Sequence, residues 1–408
     1  MITLQNVTLP DGSVVNKQIP SEQTIDIDAK GLMLLPAVID PHVHFRTPGL
    51  EYKEDWRSGA KAAIRGGCTH VFDMPNTLPP TITQALLREK KQLIDSQLQV
   101  AGIPLRYELF FGADKQHLDE ITKLNHQAIG IKVFMGCSTG NLVIDDDESL
   151  AAVFKLAAKE NLIVAVHAED EHIMHANKIR FKEPIDYATH SLIRNVEAAV
   201  TAVKKAIHLT RQYGTKLYIL HISTKEEIEL IKAAKCEGLP VFAETTPHHL
   251  FFDDSQYVSL GGKAVVNPPL RSKEQRKALF EAILDQVIDT IGSDHAPHTL
   301  AEKEQPYGRC PSGMPGIEFV LPLLLNACHE KLLTLDKVIS LTSLNARQIF
   351  NLTPNEDYVL VDLSRKQMIK DTVSKCGWTP YAGLTLSGWP VLTIIKGRCF
   401  WREETNIN

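Results

Sequence analysis

The chain has 408 residues, of which 44% are hydrophobic, and its 44 basic and 49 acidic residues leave a net charge of −5. This balance lacks the basic field that nucleic-acid binding requires, so we expect a small-molecule ligand and no nucleic acid. No secretory signal opens the sequence and no apolar run approaches the roughly 20 residues of a membrane span, which predicts no membrane association.

The predicted elements divide the chain into three parts. Residues 1–33 show β-type alternation around a Pro-Asp-Gly turn, and residues 34–350 contain eight short apolar runs that alternate with amphipathic helical stretches. This alternation is typical of repeated βα units, and eight repeats favour a closed barrel over an open sheet. The predicted barrel strands are residues 34–40, 70–74, 107–111, 130–135, 163–167, 217–221, 241–244 and 287–292.

Residues 351–408 return to β-type alternation interrupted by Gly and Pro turns. Neither terminal part is long enough to form a core of its own. We therefore predict an α/β protein with a (β/α)8 TIM-type barrel and one small β-sandwich-like domain, built from residues 1–33 and 351–408.

The first predicted strand leads into Asp40-Pro41-His42-Val43-His44-Phe45-Arg46. Side chains two positions apart on a strand share a face, so His42 and His44 can point together into the barrel, where imidazoles suit zinc. This triplet alone is a weak signal, because two packed or solvated histidines would also account for it.

Three later strands end in further candidate ligands, His167, His221 and Asp294. All fall at the carboxyl ends of the predicted strands, where barrel enzymes place their catalytic groups. Because separate structural explanations would be needed for each, the pattern favours a metal site at this face of the barrel.

Lys132 lies near the end of the fourth predicted strand. A cation is unfavourable among metal ligands, but a buried lysine can lose its proton and react with CO2 to give a carbamate, whose two oxygens could bridge two metals. From position alone, a lysine that extends into solvent is the simpler interpretation.

Together these residues resemble the amidohydrolase superfamily, and specifically its dihydroorotase family, over nearly the whole chain. In that family a His-x-His pair, a carboxylated lysine, two later histidines and a final aspartate hold two zinc ions. The resemblance implies two divalent metals, with zinc expected, and a CO2-derived carbamate on the lysine. The implied ligands are His42, His44, Lys132, His167, His221 and Asp294.

The substrate choice rests on fewer residues. Dihydroorotases resemble one another in having Phe/Leu-Arg after the His-x-His pair and Met-Pro-Asn after the second strand, and this chain has Arg46 and Asn76 at those places. Arginine offers a planar fork to a carboxylate, a group that dihydroorotate has and plain cyclic ureides lack. Allantoinases usually have asparagine in place of this arginine. A surface salt bridge is the simpler alternative role for Arg46.

Further site residues are implied by the same resemblance. The segment from Ser293 to His298 resembles the family's last-strand motif, in which Asp294 is both metal ligand and general base and His298 joins the carboxylate-binding residues. Asn267 matches a segment that lines the ring pocket, although a turn residue before two prolines is an equally good interpretation.

Pro315 and Gly316, in a loop rich in Pro and Gly after the eighth strand, resemble a stretch whose backbone meets the substrate ring. A plain connecting loop is the alternative. His248 and His249 also match family positions, and we assign them to structure.

The resemblance therefore implies the reversible cyclisation of N-carbamoyl-L-aspartate to L-dihydroorotate plus water, a step of pyrimidine (UMP) synthesis. The nucleophile would be a hydroxide between the two metals, with Asp294 as general base. The alternatives are an allantoinase or dihydropyrimidinase-like cyclic amidohydrolase and a catalytically silent scaffold. Arg46 and Asn76 argue against the first, and the complete ligand set argues against the second.

Two expectations concern the environment of the protein. The seven cysteines are scattered and form no C-x-x-C pair, which favours free thiols in a reducing cytoplasm and no cysteine-ligated zinc. Family members also lead us to expect a homodimer and an association with aspartate transcarbamoylase.

Overall fold

The computed structural model describes residues 1–136, 142–181 and 186–404. Its strands form two separate sheets. In chain order the strands are β1 (Ile2–Thr8), β2 (Val14–Ile19), β3 (Ile25–Asp28), β4 (Met33–Pro36), β5 (Val38–Val43), β6 (Cys68–Asp73), β7 (Arg106–Gly112), β8 (Gly130–Phe134), β9 (Val164–His167), β10 (Leu217–Ile219), β11 (Val241–Thr245), β12 (Thr290–Ile291), β13 (Tyr358–Met368), β14 (Thr385–Ile395) and β15 (Arg398–Trp401).

The central sheet is a barrel of eight parallel strands, β5 to β12, which pair in sequence order. A parallel bridge between Val43 and His295 joins the first strand to the segment that follows the eighth. Every residue of β8 and β9 is buried, as expected for strands with helices outside and packed side chains inside. The predicted (β/α)8 barrel is confirmed.

The second sheet has seven strands and joins the two ends of the chain. β1 pairs with β2, β3 and β4, and β13 pairs antiparallel with both β4 and β14. This arrangement confirms the predicted β structure beside the barrel. Its strands come from residues 2–36 and 358–401.

One predicted strand combines residues of two different sheets. The run 34–40 covers two strands, because β4 belongs to the terminal sheet and the first barrel strand, β5, begins only at Val38. The sequence changes from one sheet to the other within an unbroken apolar run, so hydrophobicity gives no sign of the boundary. The eighth strand is also shorter than predicted, since only Thr290 and Ile291 form β12.

Helices surround the barrel. They are α1 (Trp56–Arg65), α2 (Gln84–Ala101), α3 (Asp147–Lys159), α4 (Glu171–Arg180), α5 (Thr189–Ile193), α6 (Val196–Tyr213), α7 (Lys225–Cys236), α8 (Pro247–Phe251), α9 (Gln256–Leu260), α10 (Lys273–Leu284), α11 (Leu300–Lys303), α12 (Val320–His329), α13 (Leu335–Ile339) and α14 (Asn345–Ile349). Short 3-10 helices span Leu118–Lys123, Gly261–Ala264 and Ile317–Phe319, and a π-helical turn spans Ser340–Leu344.

Local sequence signals explain where several helices begin and end. Thr224 caps α7 in a capping box with Glu227, and the same reciprocal bonds join Thr299 and Glu302 at α11. α6 ends at Gly214, whose φ of 71° is a left-handed conformation that glycine adopts without steric cost. The two threonine caps fix where loops at the barrel mouth end, whereas Gly214 begins the turn into β10 at the opposite face of the barrel.

Two further findings bear on the predicted environment. Within the described residues, no helix has both the length and the apolar character that a membrane crossing requires. The six cysteines of the described part of the chain are free thiols. Cys137 lies outside the described residues.

Candidate active site

The carboxyl ends of the barrel strands surround a cavity of about 200 Å³. Every predicted metal ligand lines it, as do Arg46, Asn76 and Asn267. The six predicted ligands at its wall are His42, His44, Lys132, His167, His221 and Asp294. Folding therefore brings together side chains that are up to 252 residues apart in sequence.

One group of donor atoms lies where β5 and β12 meet. Asp294 Oδ1 is 3.2 Å from His42 Nε2 and 3.1 Å from His44 Nε2. One potential ligand atom from each of these three residues falls within 4.8 Å of the others. Such a cluster of two imidazoles and a carboxylate is a donor set that zinc accepts.

A second group lies on β9 and just after β10. His167 Nδ1 and His221 Nε2 are 2.9 Å apart, and the His221 ring centroid is 5.4 Å from that of His42. The other His221 nitrogen, Nδ1, is buried without a hydrogen-bond partner among the described residues. The second group therefore adjoins the first, and a buried imidazole with an unsatisfied nitrogen fits a ligand role.

Buried hydrogen-bond partners set the ring orientations of the first pair. His42 Nδ1 donates to Glu244 Oε1 at 2.8 Å, and His44 Nδ1 donates to Asn76 Oδ1 at 2.8 Å. Each bond leaves Nε2 as the nitrogen with a free lone pair, and this nitrogen faces Asp294. Metal-binding histidines are commonly held in this way by a carboxylate or amide behind them.

His167 is supported in the same way, but with the roles of its two ring nitrogens exchanged. Its Nε2 donates to Glu169 Oε2 at 2.8 Å, which leaves Nδ1 as the acceptor atom that faces the cavity. Glu169 is fully buried and also receives the guanidinium of Arg194. Burial raises the pKa of Glu169, but Arg194 and His167 outweigh it and hold that pKa well below its ordinary value.

The protonation states of the cluster also suit a metal. Burial lowers the pKa of His44 to about 3 and that of His221 well below its ordinary value. Burial raises the pKa of Asp294, but His42 and His44 outweigh it and keep the carboxyl ionised. Neutral imidazoles and an ionised carboxylate are the states in which these groups bind metals, so the residues present fit a divalent cation.

Lys132 extends from β8 into the same cavity, where its side chain is 1% exposed. Its ammonium nitrogen lies 4.6 Å from the centroid of the Phe134 ring. Burial lowers the pKa of Lys132 to about 7, against the opposing effect of Asp294 and Glu244. The lysine is therefore not the solvated residue of the simpler interpretation.

Two of the predicted ligands follow short strands in an uncommon backbone conformation. His221 has a φ of 39° and Asp294 a φ of 44°. Non-glycine residues rarely adopt this left-handed region, and those that do concentrate at functional sites. The turn aims each side chain into the cavity rather than along its strand.

A second wall of the cavity carries Arg46, one of the predicted carboxylate-binding residues. Arg46 Nε donates to the carbonyl of Pro297 at 3.1 Å, and its Nη2 lies 3.1 Å from His298 Nε2. The loop from Pro311 to Gly313 closes the wall beside Arg46. His298 is not among the residues that line the cavity, so it lies beside Arg46 and behind this wall, although the two residues come from opposite ends of the barrel sequence.

Asn267 lies between these two walls. Its Oδ1 is 3.0 Å from His190 Nε2, which is also 2.9 Å from the Val266 carbonyl. The His190 ring is buried, and burial lowers its pKa to about 4. The asparagine is thus a cavity residue held by a neutral histidine, whereas its contact with a substrate stays a prediction.

Pro315 and Gly316, like His298, are not among the residues that line the cavity. The loop of Pro315 and Gly316 contributes Pro311, Ser312 and Gly313 instead. The Gly316 amide donates to His295 Nδ1 at 3.1 Å, so it supports the residue after Asp294. His248 and His249, assigned to structure, are buried on α8.

Sequence reasoning missed the supporting groups Glu244, Glu169 and Lys53. Glu244 stands at the end of the seventh predicted strand, so a carboxylate at a strand end was the signal that could have found it. Glu169 follows His167 at a spacing of two, the spacing that identified His42 and His44. Lys53 carries no comparable signal, because its partners are distant in sequence.

Comparisons with known proteins cover both the barrel and the terminal sheet. A model described as the amidohydrolase family matches residues 33–399. The chain is 36% identical to a dihydroorotase of Methanosarcina mazei, over 94% of this chain and 87% of that protein. It is 35% identical to a dihydroorotase of Halobacterium salinarum, over 99% of this chain and 97% of that protein. The solved structure of the L-hydantoinase (dihydropyrimidinase) from Arthrobacter aurescens superposes with a TM-score of 0.90 at 26% identity. The superposition covers 98% of this chain and 95% of the hydantoinase chain.

Proposed function

This chain belongs to the amidohydrolase family, and we propose that it is a dihydroorotase, which interconverts N-carbamoyl-L-aspartate and L-dihydroorotate plus water in pyrimidine synthesis. It is accordingly a cyclic amide hydrolase with a small-molecule substrate. The relatives that support this substrate are named dihydroorotases, and the match to them covers 87% and 97% of their length. Hydantoinase structures share the fold, so they support the reaction class but not the choice of ring.

The observation that carries this choice is the buried guanidinium of Arg46. Its side chain is 3% exposed, and burial lowers its pKa to about 10, so it stays protonated at neutral pH. Within the described residues no carboxylate lies at ion-pair distance from it. Buried carboxylates, Asp294 first among them, stabilise this cation only from longer range, whereas a substrate carboxylate would pair with it directly. A ring that lacks a carboxylate offers no such compensation.

The metal content is part of the same proposal. His42, His44 and Asp294 would hold one divalent cation, and His167 and His221 the other, with zinc as the metal that suits these donors. Two such cations would supply Lewis acidity and lower the pKa of a water molecule towards neutrality. Asp294 lies closest to the first pair of imidazoles and so belongs to the metal set and to the reacting centre.

We propose that Lys132 is carboxylated. Its pKa of about 7 leaves a large share of the amine unprotonated at neutral pH. The amine nitrogen would attack the carbon of CO2 and lose its proton, which converts a cation into a carbamate anion. This change would remove the electrostatic conflict between a lysine and neighbouring metal ions, and the carbamate oxygens could serve both.

The residues of the chain divide the remaining work. The ionised Asp294 accepts a proton from the attacking water and returns it to the ring nitrogen as the amide bond breaks. Arg46, with His298 beside it, would hold the carboxylate and so fix the ring relative to Asp294. In the synthetic direction the same proton moves from the ureido nitrogen to Asp294 as the ring closes.

The test is an assay of the purified protein against dihydroorotate, allantoin and dihydrouracil, with zinc analysis of the same sample. We expect kcat/KM for dihydroorotate to exceed the other two by about 100-fold or more, since a buried charged group left unpaired penalises a substrate without a carboxylate. We also expect two zinc ions per chain and, after incubation with 13C-labelled bicarbonate, a carbamate resonance. Comparable turnover of dihydrouracil would contradict the substrate assignment. The homodimer, the association with aspartate transcarbamoylase and the cytoplasmic location stay predictions.

A further inference from the structure

Behind the carboxylate-binding wall lies a lysine that the mechanism above does not use. Lys53 is in the loop between β5 and α1, and its side chain is 7% exposed. Its ammonium nitrogen is 2.9 Å from His298 Nδ1 and 2.8 Å from Glu302 Oε1. The lysine therefore links the loop after the first barrel strand to the loop after the eighth.

Glu302 holds the ammonium in this position. Its other carboxylate oxygen accepts from the backbone amide and hydroxyl of Thr299, at 2.9 and 3.0 Å, in the capping box of α11. The hydroxyl of Tyr52 lies 3.2 Å from Glu302 Oε1. These contacts fix the carboxylate of Glu302, which in turn fixes the ammonium group of Lys53. One ammonium hydrogen bonds Glu302, and another is directed at His298.

His298 is neutral in this setting. Burial, reinforced by the cations Arg46 and Lys53, holds its pKa well below the ordinary value for histidine. A neutral imidazole carries one proton, on Nδ1 or on Nε2, and an ammonium group can only donate. The 2.9 Å contact from Lys53 is thus a hydrogen bond only when Nδ1 is the acceptor, which places the ring proton on Nε2.

A second contact agrees with this assignment. His298 Nε2 lies 3.0 Å from the carbonyl oxygen of Ser312, which can only accept. The tautomer with its proton on Nδ1 would lose this bond and would set an N–H against the ammonium of Lys53. Two contacts would favour that tautomer, the 3.1 Å approach of Arg46 Nη2 to Nε2 and the approach of Glu302 Oε2 to Nδ1, but the second, at 3.9 Å, is too long for a hydrogen bond.

We propose that Lys53 is a positioning residue that locks His298 with its proton on Nε2, so that the ring donates to the Ser312 carbonyl and the Nη2 hydrogens of Arg46 stay free for the substrate carboxylate. With Nε2 protonated, the 3.1 Å approach of Arg46 Nη2 to that nitrogen is not a hydrogen bond to the ring. Without the lock, the ring proton would move to Nδ1, and Arg46 would donate to Nε2 instead of to the carboxylate. Lys53 thus contributes to specificity without itself touching the substrate, and this role rests on the proposed function.

The test compares Lys53→Met, which removes the donor, with Lys53→Arg, which keeps one. For Lys53→Met we expect KM for dihydroorotate to rise by on the order of tenfold, the typical loss of a hydrogen bond to a charged group, with kcat changed by less than about threefold. Lys53→Arg should recover much of the loss. Lys235→Met is the matched control, because that lysine also bonds a carboxylate and a carbonyl, those of Asp289 and Val287, at the other end of the barrel.

Nitrogen NMR of the histidine rings reports which ring nitrogen is protonated, a property that would not change if Lys53 had only a structural role. We expect Nε2 of His298 to have a protonated, pyrrole-like shift in the unaltered protein and to lose it partly in Lys53→Met. A ring proton on Nδ1 in the unaltered protein overturns the inference whether or not any variant folds. An unchanged KM in a folded Lys53→Met variant overturns it as well.

The outcomes separate this inference from the proposed function. An unaltered protein that fails to turn over dihydroorotate contradicts the function, while the NMR measurement still decides the tautomer. If the protein is active and KM is the same in Lys53→Met, the proposed function stands and only the inference about Lys53 is contradicted.

Discussion

The two walls of the cavity are built by different means. On the metal side, His42, His167 and Asp294 lie on barrel strands or directly after them, and buried acidic or amide groups orient the imidazoles. On the carboxylate side, Arg46 and His298 lie in loops and are held by backbone carbonyls. Under the proposed function, the barrel frame would carry the reaction chemistry and its loops the choice of substrate. Changes on the first side should therefore affect kcat or metal binding, and changes on the second should affect KM.

The largest effect should follow from Asp294→Ala on the metal side. The variant removes a carboxylate 3.2 and 3.1 Å from two imidazole nitrogens and, with it, the proposed general base. Loss of a general base alone costs up to about 10⁴-fold, so we expect kcat to fall by about 10³-fold or more. Steady-state kinetics at saturating dihydroorotate measure the effect, and far-ultraviolet circular dichroism should show an unchanged fold.

Asp285→Ala is the control for this variant, since Asp285 pairs with Lys232 on the protein surface and should leave turnover unchanged. Turnover of Asp294→Ala within tenfold of the unaltered protein would remove Asp294 from the reacting centre.

Arg46→Met tests the carboxylate side. The substitution removes a buried, charge-assisted interaction with the substrate and leaves the metal side intact, so we expect KM for dihydroorotate to rise by about 100-fold. The change in kcat should be only a few-fold, because the lost contact holds substrate and transition state alike. Arg211→Met, at a surface pair with Glu237, is the matched control. A fall in kcat with an unaltered KM would erase the distinction between the two walls.

Much of this division could be predicted from the sequence. Residues His42, His167 and His221 stand at or near the ends of apolar runs, and the barrel topology brings all such ends to one face. Local pattern and a single topological rule brought the histidines and Asp294 to one face, whereas the prediction for Lys132 depended on the family resemblance. The one misplaced strand, at 34–40, lies where two sheets share an unbroken apolar run and no turn marks the change.

The partners of the supporting residues could not be predicted in the same way. The position of Glu244 at a strand end signals a cavity residue, but Glu244 is 202 positions from His42 and Lys53 is 245 from His298, so these pairings depend on tertiary distances. For Pro315 and Gly316 the error is of another kind. The family resemblance predicted that they contact the substrate, but the cavity is lined by their neighbours Pro311, Ser312 and Gly313. Sequence pattern therefore locates groups on strands better than it locates groups on long loops.

Glu244→Gln should have a smaller effect than either variant above. Glutamine keeps the size and the acceptor oxygen that bonds His42 Nδ1 at 2.8 Å but loses the negative charge that makes the imidazole a stronger ligand. We expect metal affinity to fall by about tenfold, with activity recovering as zinc is added and KM unaltered. Competition with a chelator measures the affinity. A raised KM with normal metal affinity would move Glu244 to the substrate side.

The smallest effect should come from Asn267→Ala, at the point where the two walls meet. The His190 ring that bonds Asn267 keeps a second acceptor in the carbonyl of Val266, so the substitution should leave its position unchanged. If Asn267 contacts the ring through one neutral hydrogen bond, the loss corresponds to about three- to tenfold in KM. A fall in kcat without a change in KM would instead place Asn267 with the metal side, where it would act on the reacting amide. The ratio of the two effects therefore locates the boundary between the parts of the cavity that bind the substrate and the parts that transform it.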